Sequence, residues 1–543
     1  VSIVIYRACE IVTLDKSCPI ATAIAVKDER ILSVGTFEEV VKNLNNDPFE
    51  VDNRYENFFI VPGFIEAHGH VFSEGMLTGL VWTGRDDRLR PDGTMSKGSA
   101  TIDEVVERLI DSADNYEGAI AGYGFDPVFF DGRALLRDDL DKVSTTKGVV
   151  VMNASGHLAY ANSKQMEICG VDENTDVPGV MKDANGIPTG EFHEEAMSLV
   201  LDRVKMVNGD PAQLALAGGE LLRRVGVTTG SDISMVTTGP AFEAFKATVS
   251  KNDFPARVTY SPKITDMTRR MSEDDVFSIV SKLKSESNER FTFGPLKWVS
   301  DGSIQGFTGK LNWPGYCGGD DHGQLLLDEA ALIKQLTPYH NAGFQIAVHA
   351  NGDEAIDTVI GAFEKILNSS PRYDHRHRLE HFQMASPAAI KKMAALNLCA
   401  NIFSNHIYYW GDTHRSKTMG PDKARRMDAA ASAIEAGIQI SIHSDHPVTP
   451  VNPLFTMWCA VNRVTRSGFV LGPAEKITPL QALTAMTLGS AYLMNRDDML
   501  GSLEVGKWAD FTVLTENPLS IDPMSIKDIE VVGTVIGGKP TGK

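Results

Sequence analysis

The sequence predicts an α/β protein built on a (β/α)8 barrel of the TIM type. Three observations carry this. Short apolar runs rich in β-branched and aromatic residues recur along the chain, segments of helical spacing separate them, and several runs end in His, Asp or Lys. A barrel of parallel strands builds its site at the C-terminal strand ends, whatever the chemistry.

Eight candidate strands can be placed: 58–65, 225–233 (VGVTTGSDI), 256–261 (ARVTYS), 295–301, 344–350, 377–383, 397–402 (NLCANI) and 438–445. The later connections have βα length. Ser386–Leu396, SPAAIKKMAAL, repeats its apolar residues at helical spacing. Residues 72–210 are too long for a connection and too patterned for a loop, so they read as an inserted subdomain that caps the barrel mouth. The barrel domain is then 58–71 plus 211–499. The remaining ends, 1–57 and 500–543, alternate like antiparallel strands in SIVIYRACEIVTLD, TAIAVKDERILSVG, LEVGKWADFTVLTENPL and IEVVGTVIGGKPTG. Neither end could bury much core alone, so together they are expected to make a small β-sandwich domain.

Composition narrows the class. With 543 residues, 43% hydrophobic and 23% charged, the chain can bury a large core, and no apolar run reaches the ~18 residues of a membrane span. A net charge of −19 repels phosphate backbones and anionic lipid, so the expected partner is a small-molecule substrate, not nucleic acid or membrane. A homodimer is compatible with the composition. No signal-peptide pattern opens the chain, which favours a cytoplasmic location weakly, since Val1 leaves a processed leader open. Six scattered cysteines without a CxxC pair read as reduced thiols, mostly buried.

The first strand holds the most informative stretch, VPGFIEAHGH at 61–70. Side chains alternate along a strand, so His68 and His70 share a face and can converge on one metal ion. Other ligand types follow at later strand ends: Lys297 and Asp301 in LKWVSDG, His349 in FQIAVHANGD, His381 in RHRLEHFQ, and His443 with Asp445 in IQISIHSDHP. A divalent metal site is the expectation.

This constellation resembles the amidohydrolase superfamily over nearly the whole chain. Its local marks are PGFIEAHGH, the strand-borne lysine, the late Ser-Asp and the closing GSLEVGKWADFTVL. Further marks are similar to the amidohydrolase family 3 branch, the YtcJ-like metal-dependent hydrolases that include N-substituted formamide deformylase. These are YGFD at 123–126, SGHLAYANS at 155–163, PTGEFHEEA at 188–196, SDGSIQGFTG at 300–309, HANGDEAID at 349–357 and SDHPV at 444–448.

The resemblance implies a ligand set of His68, His70, Lys297, His349, His381 and Asp445. It implies zinc before other metals, as two ions bridged by a carboxylated Lys297. A carbamate is an anionic oxygen ligand, whereas an ammonium among cations is repelled. The other reading of Lys297, an ordinary lysine paired with Asp301 over one ion, stays open. A metal lowers the pKa of bound water from about 15.7 towards ~7, so hydroxide is available at neutral pH. Asp445 would then take the water's proton and pass it to the leaving nitrogen, with His381 the second catalytic candidate. The expected activity is metal-dependent hydrolysis of a non-peptide amide C–N bond, linear or cyclic. The alternative is a deaminase of an aromatic or purine-like compound. Against it, His349 is followed by Ala-Asn-Gly-Asp353, without a glutamate at the HxxE spacing.

Residues beyond the metal set have weaker claims as substrate contacts. His157 lies in a motif of the branch and could reach substrate or a developing oxyanion. Tyr123 and Asp126 could line a pocket or brace the insert, bracing being the better reading for Asp126. His446 replaces a small residue expected after Ser-Asp, and His443 should point into the barrel beneath the site. The turn-rich Asn312–Asp321 segment reads as a mobile loop over the active-site face, with Trp313 and Tyr316 as aromatic contacts or anchors. His375 and His377 precede their strand end, so they are expected at the opposite face as solvent-exposed charge.

Overall fold

The computed structural model describes residues 3–202, 204, 210–235, 237–319 and 321–541. The chain divides into two compact units, one of Val1–Val71, Gly219–His446 and Val451–Lys543, the other of Phe72–Gly218 with Pro447–Pro450.

In the first unit, parallel strands alternate with helices in chain order. Phe64–Ile65, Val227–Met235, Arg257–Pro262 and Phe291–Phe293 form one parallel sheet, and Leu296–Val299, Ile346–Ala350, Arg378–His381, Cys399–Ile402 and Ile440–Ile442 form a second. Phe291–Phe293 and Leu296–Val299 are consecutive pieces around Gly294-Pro295, where proline can give no ladder hydrogen bond. A parallel bridge between Lys263 and Lys297 joins the two sheets, and the His70 N–H donates to the His446 carbonyl at 2.8 Å on the other side. The result is α/β and TIM-barrel-like, with strands buried on both faces, as parallel strands covered by helices must be. Helix Asp353–Ser369 shows the covering pattern: Ile356, Val359, Ile360, Phe363 and Ile366 are buried at helical spacing.

The expected strand 58–65 serves two sheets. Phe59–Pro62 pairs with Ile3–Val12 and Phe511–Leu514, whereas Phe64–Ile65 pairs with Val227–Met235. The break falls at Gly63, where a Cβ would overlap the Thr228 side chain. The chain ends associate in a single eight-stranded sheet, not the expected β-sandwich, and it includes Ile3–Val12, Ile20–Lys27, Phe511–Leu514 and Val531–Ile536. One face buries Tyr6, Ile24, Phe511 and Val535, and the other packs Ile5 and Ala23 against Val40 of helix Phe37–Asn43. Asp510 next to this sheet accepts from Arg257 Nε at 2.6 Å, a buried ion pair at the start of the third barrel strand.

The second unit is built on a six-stranded sheet in the order Val180–Lys182, Pro188–His193, Leu158–Ala161, Val149–Asn153, Ile120–Phe125, Val81–Trp82. Its core gathers Val105 and Leu109 of helix Ile102–Asp111 with Ile120, Val150, Tyr160 and Phe192. Two sequence expectations are corrected. Only Cys399 and Cys459 of the six thiols are buried, because Cys9 and Cys317 sit at exposed positions and Cys18 and Cys169 are half-buried. His375 and His377 are buried, not exposed charge, because the Leu396 carbonyl, His340 and the Ile346 N–H take up their ring nitrogens. Among the described residues no helix is long and apolar enough to cross a membrane.

Candidate metal centre

His68 and His70 follow the first barrel strand, and Asp445 follows the eighth. His68 Nε2 and His70 Nε2 each lie 3.3 Å from Asp445 Oδ1. His381, the last residue of the sixth strand, brings Nδ1 to 3.7 Å from Asp445 Oδ2. Two groups of potential ligands result, His68 with His70 and Asp445, and His68 with His381 and His443, their donor atoms within 4.8 Å of one another. The backbone is bent to achieve this: His381 (φ 70°), Phe382 (φ 54°) and Asp445 (φ 53°) all occupy the left-handed region. Non-glycine residues adopt that region at a cost, and do so most often at functional sites.

A buried carboxylate holds the first ligand. Glu380 Oε2 accepts from His68 Nδ1 at 2.5 Å, which turns Nε2 towards Asp445 and fixes the tautomer. Glu380 also accepts from Arg378 Nε at 2.6 Å and Asn401 Nδ2 at 2.8 Å. Burial opposes its ionisation, but Arg378 and His68 outweigh that and hold it well below the usual carboxylate range. Glu66 has no such cation. Burial pushes it up to about 8, although Ser444 donates to it from both backbone and hydroxyl. Both glutamates lie within two residues of a histidine singled out in the sequence, yet nothing in the spacing marked them.

The remaining expected ligands are placed as follows. Lys297 is buried in the fourth strand, and its Nζ has no hydrogen-bond partner. Burial lowers its pKa to about 8 against the opposing pull of Glu380 and Asp445. It does not pair with Asp301, whose carboxylate instead accepts the backbone N–H groups of Lys310, Asn351 and Gly352. The His349 ring stands 4.5 Å from that of His381, with Nε2 3.0 Å from the Gly302 carbonyl. Asp445 stays ionised: burial disfavours its charge, but His68, His70 and His381 hold it well below the usual range. Burial keeps His381 and His443 neutral, and neither His443 nitrogen has a hydrogen-bond partner. His443, expected beneath the site, stacks 4.6 Å from His68 and joins it and His381 in one ligand group.

The donor set fits a divalent ion. Imidazole nitrogens and one ionised carboxylate converge there, and Lys297 Nζ is buried without a hydrogen bond, where an uncompensated group is otherwise costly. His446 is buried, and its ring fills the space a Cβ at Gly69 would need, which accounts for the glycine between the two histidines.

Other candidates have different surroundings. Tyr123 is buried with its hydroxyl on the Pro447 and Ala154 carbonyls, and Asp126 caps its own turn by accepting from Val128 N–H. His157 Nδ1 lies 3.0 Å from Glu194 Oε2. In the segment 312–321, of which Asp320 lies outside the described residues, Trp313 is 85% exposed. Tyr316 is buried and donates to the Gly309 carbonyl at 2.7 Å. Asp353 accepts from Asn312 N–H at 2.8 Å and faces Lys423, so it is committed to structure.

Fold and donor set together are those of a metal-dependent hydrolase. The chain belongs to the amidohydrolase family, which it matches over residues 56–541. It is 30% identical to Protein LONG AFTER FAR-RED 3 of Arabidopsis thaliana, over 97% of this chain and 90% of that protein. It is 25% identical to N-substituted formamide deformylase of Arthrobacter pascens, over 97% of this chain and 96% of that protein. Its fold is shared with an uncharacterized metal-dependent hydrolase from Pyrococcus horikoshii OT3, at TM-score 0.74 and 20% identity, covering 96% of this chain and 99% of that one.

Proposed function

We propose that the protein hydrolyses a linear or cyclic non-peptide amide of a small molecule, releasing a carboxylic acid and an amine. The observation that carries this is the convergence of His68 Nε2 and His70 Nε2 on one oxygen of an ionised Asp445. The likeness to a formamide deformylase supports an amide as the bond cleaved.

A divalent ion bound here supplies Lewis acidity and lowers the pKa of water from about 15.7 towards ~7. His68, His70 and His381 would hold it through ring nitrogens, and Glu380 keeps His68 in the required tautomer. Asp445 accepts the proton of the attacking water. As the C–N bond breaks, the same carboxyl returns that proton to the departing nitrogen, which leaves as the amine.

Zinc is the proposed metal, and a carboxylated Lys297 would supply an anionic oxygen ligand shared with a second ion. The neutral fraction of Lys297 Nζ, enlarged by burial, would attack the carbon of CO2, forming an N–C bond and releasing a proton to solvent to give an anionic carbamate. Burial of Nζ without a hydrogen-bond partner supports this. Chelation should abolish activity, and zinc, manganese or cobalt should restore it. Metal analysis should find about two ions per chain; one ion would return Lys297 to an ordinary amine, and active metal-free protein would end the proposal. N-acyl amines and cyclic amides should yield carboxylate, whereas ammonia from aminopurines alone would establish the deaminase.

A further inference from the structure

The chain passes from the barrel unit into the second unit immediately after His446, because Pro447–Pro450 belongs with Phe72–Gly218. Within that second unit the Pro447 carbonyl is gripped twice. The Tyr123 hydroxyl donates to it at 2.6 Å and Arg88 Nη1 at 3.1 Å. The Tyr123 hydroxyl is also 3.1 Å from the Ala154 carbonyl, so one proton serves two acceptors.

The donors are themselves fixed. Arg88 Nη2 lies 2.8 Å from both oxygens of Glu74, and the guanidinium sits 5.0 Å from the Trp82 ring centre and 5.7 Å from that of Tyr123. All three polar residues are buried, Glu74 at 3%, Tyr123 at 4% and Arg88 at 8% exposure. A buried ion pair is a poor source of net stability, because desolvation offsets its attraction. A pre-oriented fork beside a phenol does explain one main-chain oxygen being held tightly.

That oxygen is two residues beyond Asp445, whose backbone is in the left-handed region at φ 53°. A conformation of that kind persists only when its surroundings over-determine it. The ring at Pro447 adds its own fixed φ, leaving little slack between clamp and carboxylate. We propose that Tyr123 and Arg88 are positioning residues, which clamp the Pro447 carbonyl and thereby hold the Asp445 carboxylate in its working orientation. This rests on the reading of Asp445 as the proton acceptor.

Tyr123→Phe removes one hydroxyl and nothing else. It should lower kcat about tenfold to a hundredfold, the scale of a small misplacement of a reacting group, with KM and bound metal unchanged. Arg88→Lys keeps the charge opposite Glu74 but loses the fork, and should lower kcat in the same way. In the metal-free protein, Tyr123→Phe should speed amide hydrogen exchange in peptides covering 443–450. In an Asp445→Asn background it should lower kcat no further, because no carboxylate remains to orient. Unchanged kcat and exchange in Tyr123→Phe would overturn the inference, as would an equal fold-loss in both backgrounds. If Asp445→Asn turned over like the parent, the proton-acceptor reading would fail instead, and exchange at 443–450 would still decide whether the clamp exists.

Discussion

Two of the buried histidine clusters in the barrel unit, at opposite ends of its strands, differ in how their nitrogens are used. At the N-terminal ends, His340 Nε2 donates to the Ser370 carbonyl at 2.7 Å, so His340 Nδ1 accepts from His377 Nε2 at 2.8 Å. His377 Nδ1 then accepts the Ile346 N–H at 3.1 Å. His375 Nδ1 accepts the His377 N–H at 2.9 Å, while its Nε2 donates to the Leu396 carbonyl at 2.9 Å. Each ring nitrogen is matched, each tautomer is fixed, and no position is left for a ligand. At the C-terminal ends, His381 Nδ1 and both nitrogens of His443 are buried without hydrogen bonds, and their neighbours sit on strained backbone. Buried histidines alone say little. Unspent nitrogens converging on a carboxylate mark a metal centre, and a closed relay marks a structural brace.

The largest expected difference between the clusters is catalytic. Asp445→Asn keeps size and one oxygen but cannot accept a proton, so turnover should fall by about 10²–10⁴-fold while most metal is retained. No substitution in the relay should approach that in steady-state assays. Near-native turnover in Asp445→Asn with full metal would break the contrast at its centre.

Next is metal affinity. Glu380→Gln weakens the grip on His68 Nδ1 and should loosen metal by about 10–100-fold, read by competition with a chromogenic chelator. An unchanged affinity would mean that the outer hydrogen bond does not prepare the ligand.

Smaller effects belong to the relay. His377→Phe preserves the ring stacked 5.1 Å from Phe363, but leaves His340 Nδ1 without its donor and Ile346 N–H without its acceptor. Stability in urea should drop by about 1–3 kcal/mol, the scale of a buried group left unpaired, with metal content intact. The smallest effect is on pH dependence. Burial first, then neighbouring cations and histidines, lowers His340 and His375 from their ordinary value of 6.5 and His377 far below it. The unfolded chain therefore binds more protons as pH falls below about 6.5, so the relay's contribution is full above that pH and shrinks on acidification. Urea midpoints of the parent should fall more steeply between pH 7 and 5 than those of His377→Phe, and parallel curves would refute the assignment.

The alternation of parallel strands and helices was legible because the strands are short apolar runs that end in, or are soon followed by, an abrupt change of character, as near His349, His381 and Asp445. His68 and His70 do converge, although both lie past the end of Phe64–Ile65, where the period of two no longer governs the backbone. That arithmetic stops at strand ends: the left-handed turn at His381 lets Glu380 and its sequence neighbour serve the same site, which simple alternation forbids. The polarity of His375 and His377 was misread because their partners, Ile346, Ser370 via His340, and Leu396, come from other connections and leave no local trace. The split of 58–65 between two sheets escaped for a related reason. Gly63 matters only through Thr228, far along the chain.

The most direct test is a crystal of zinc-loaded protein examined by anomalous scattering at the zinc edge. Zinc density is expected within about 2.0–2.2 Å of His68 Nε2, His70 Nε2 and an Asp445 oxygen. None is expected at the His340, His375 and His377 relay. Zinc bound in the relay, or none beside Asp445 in protein that still turns over, would contradict this placement.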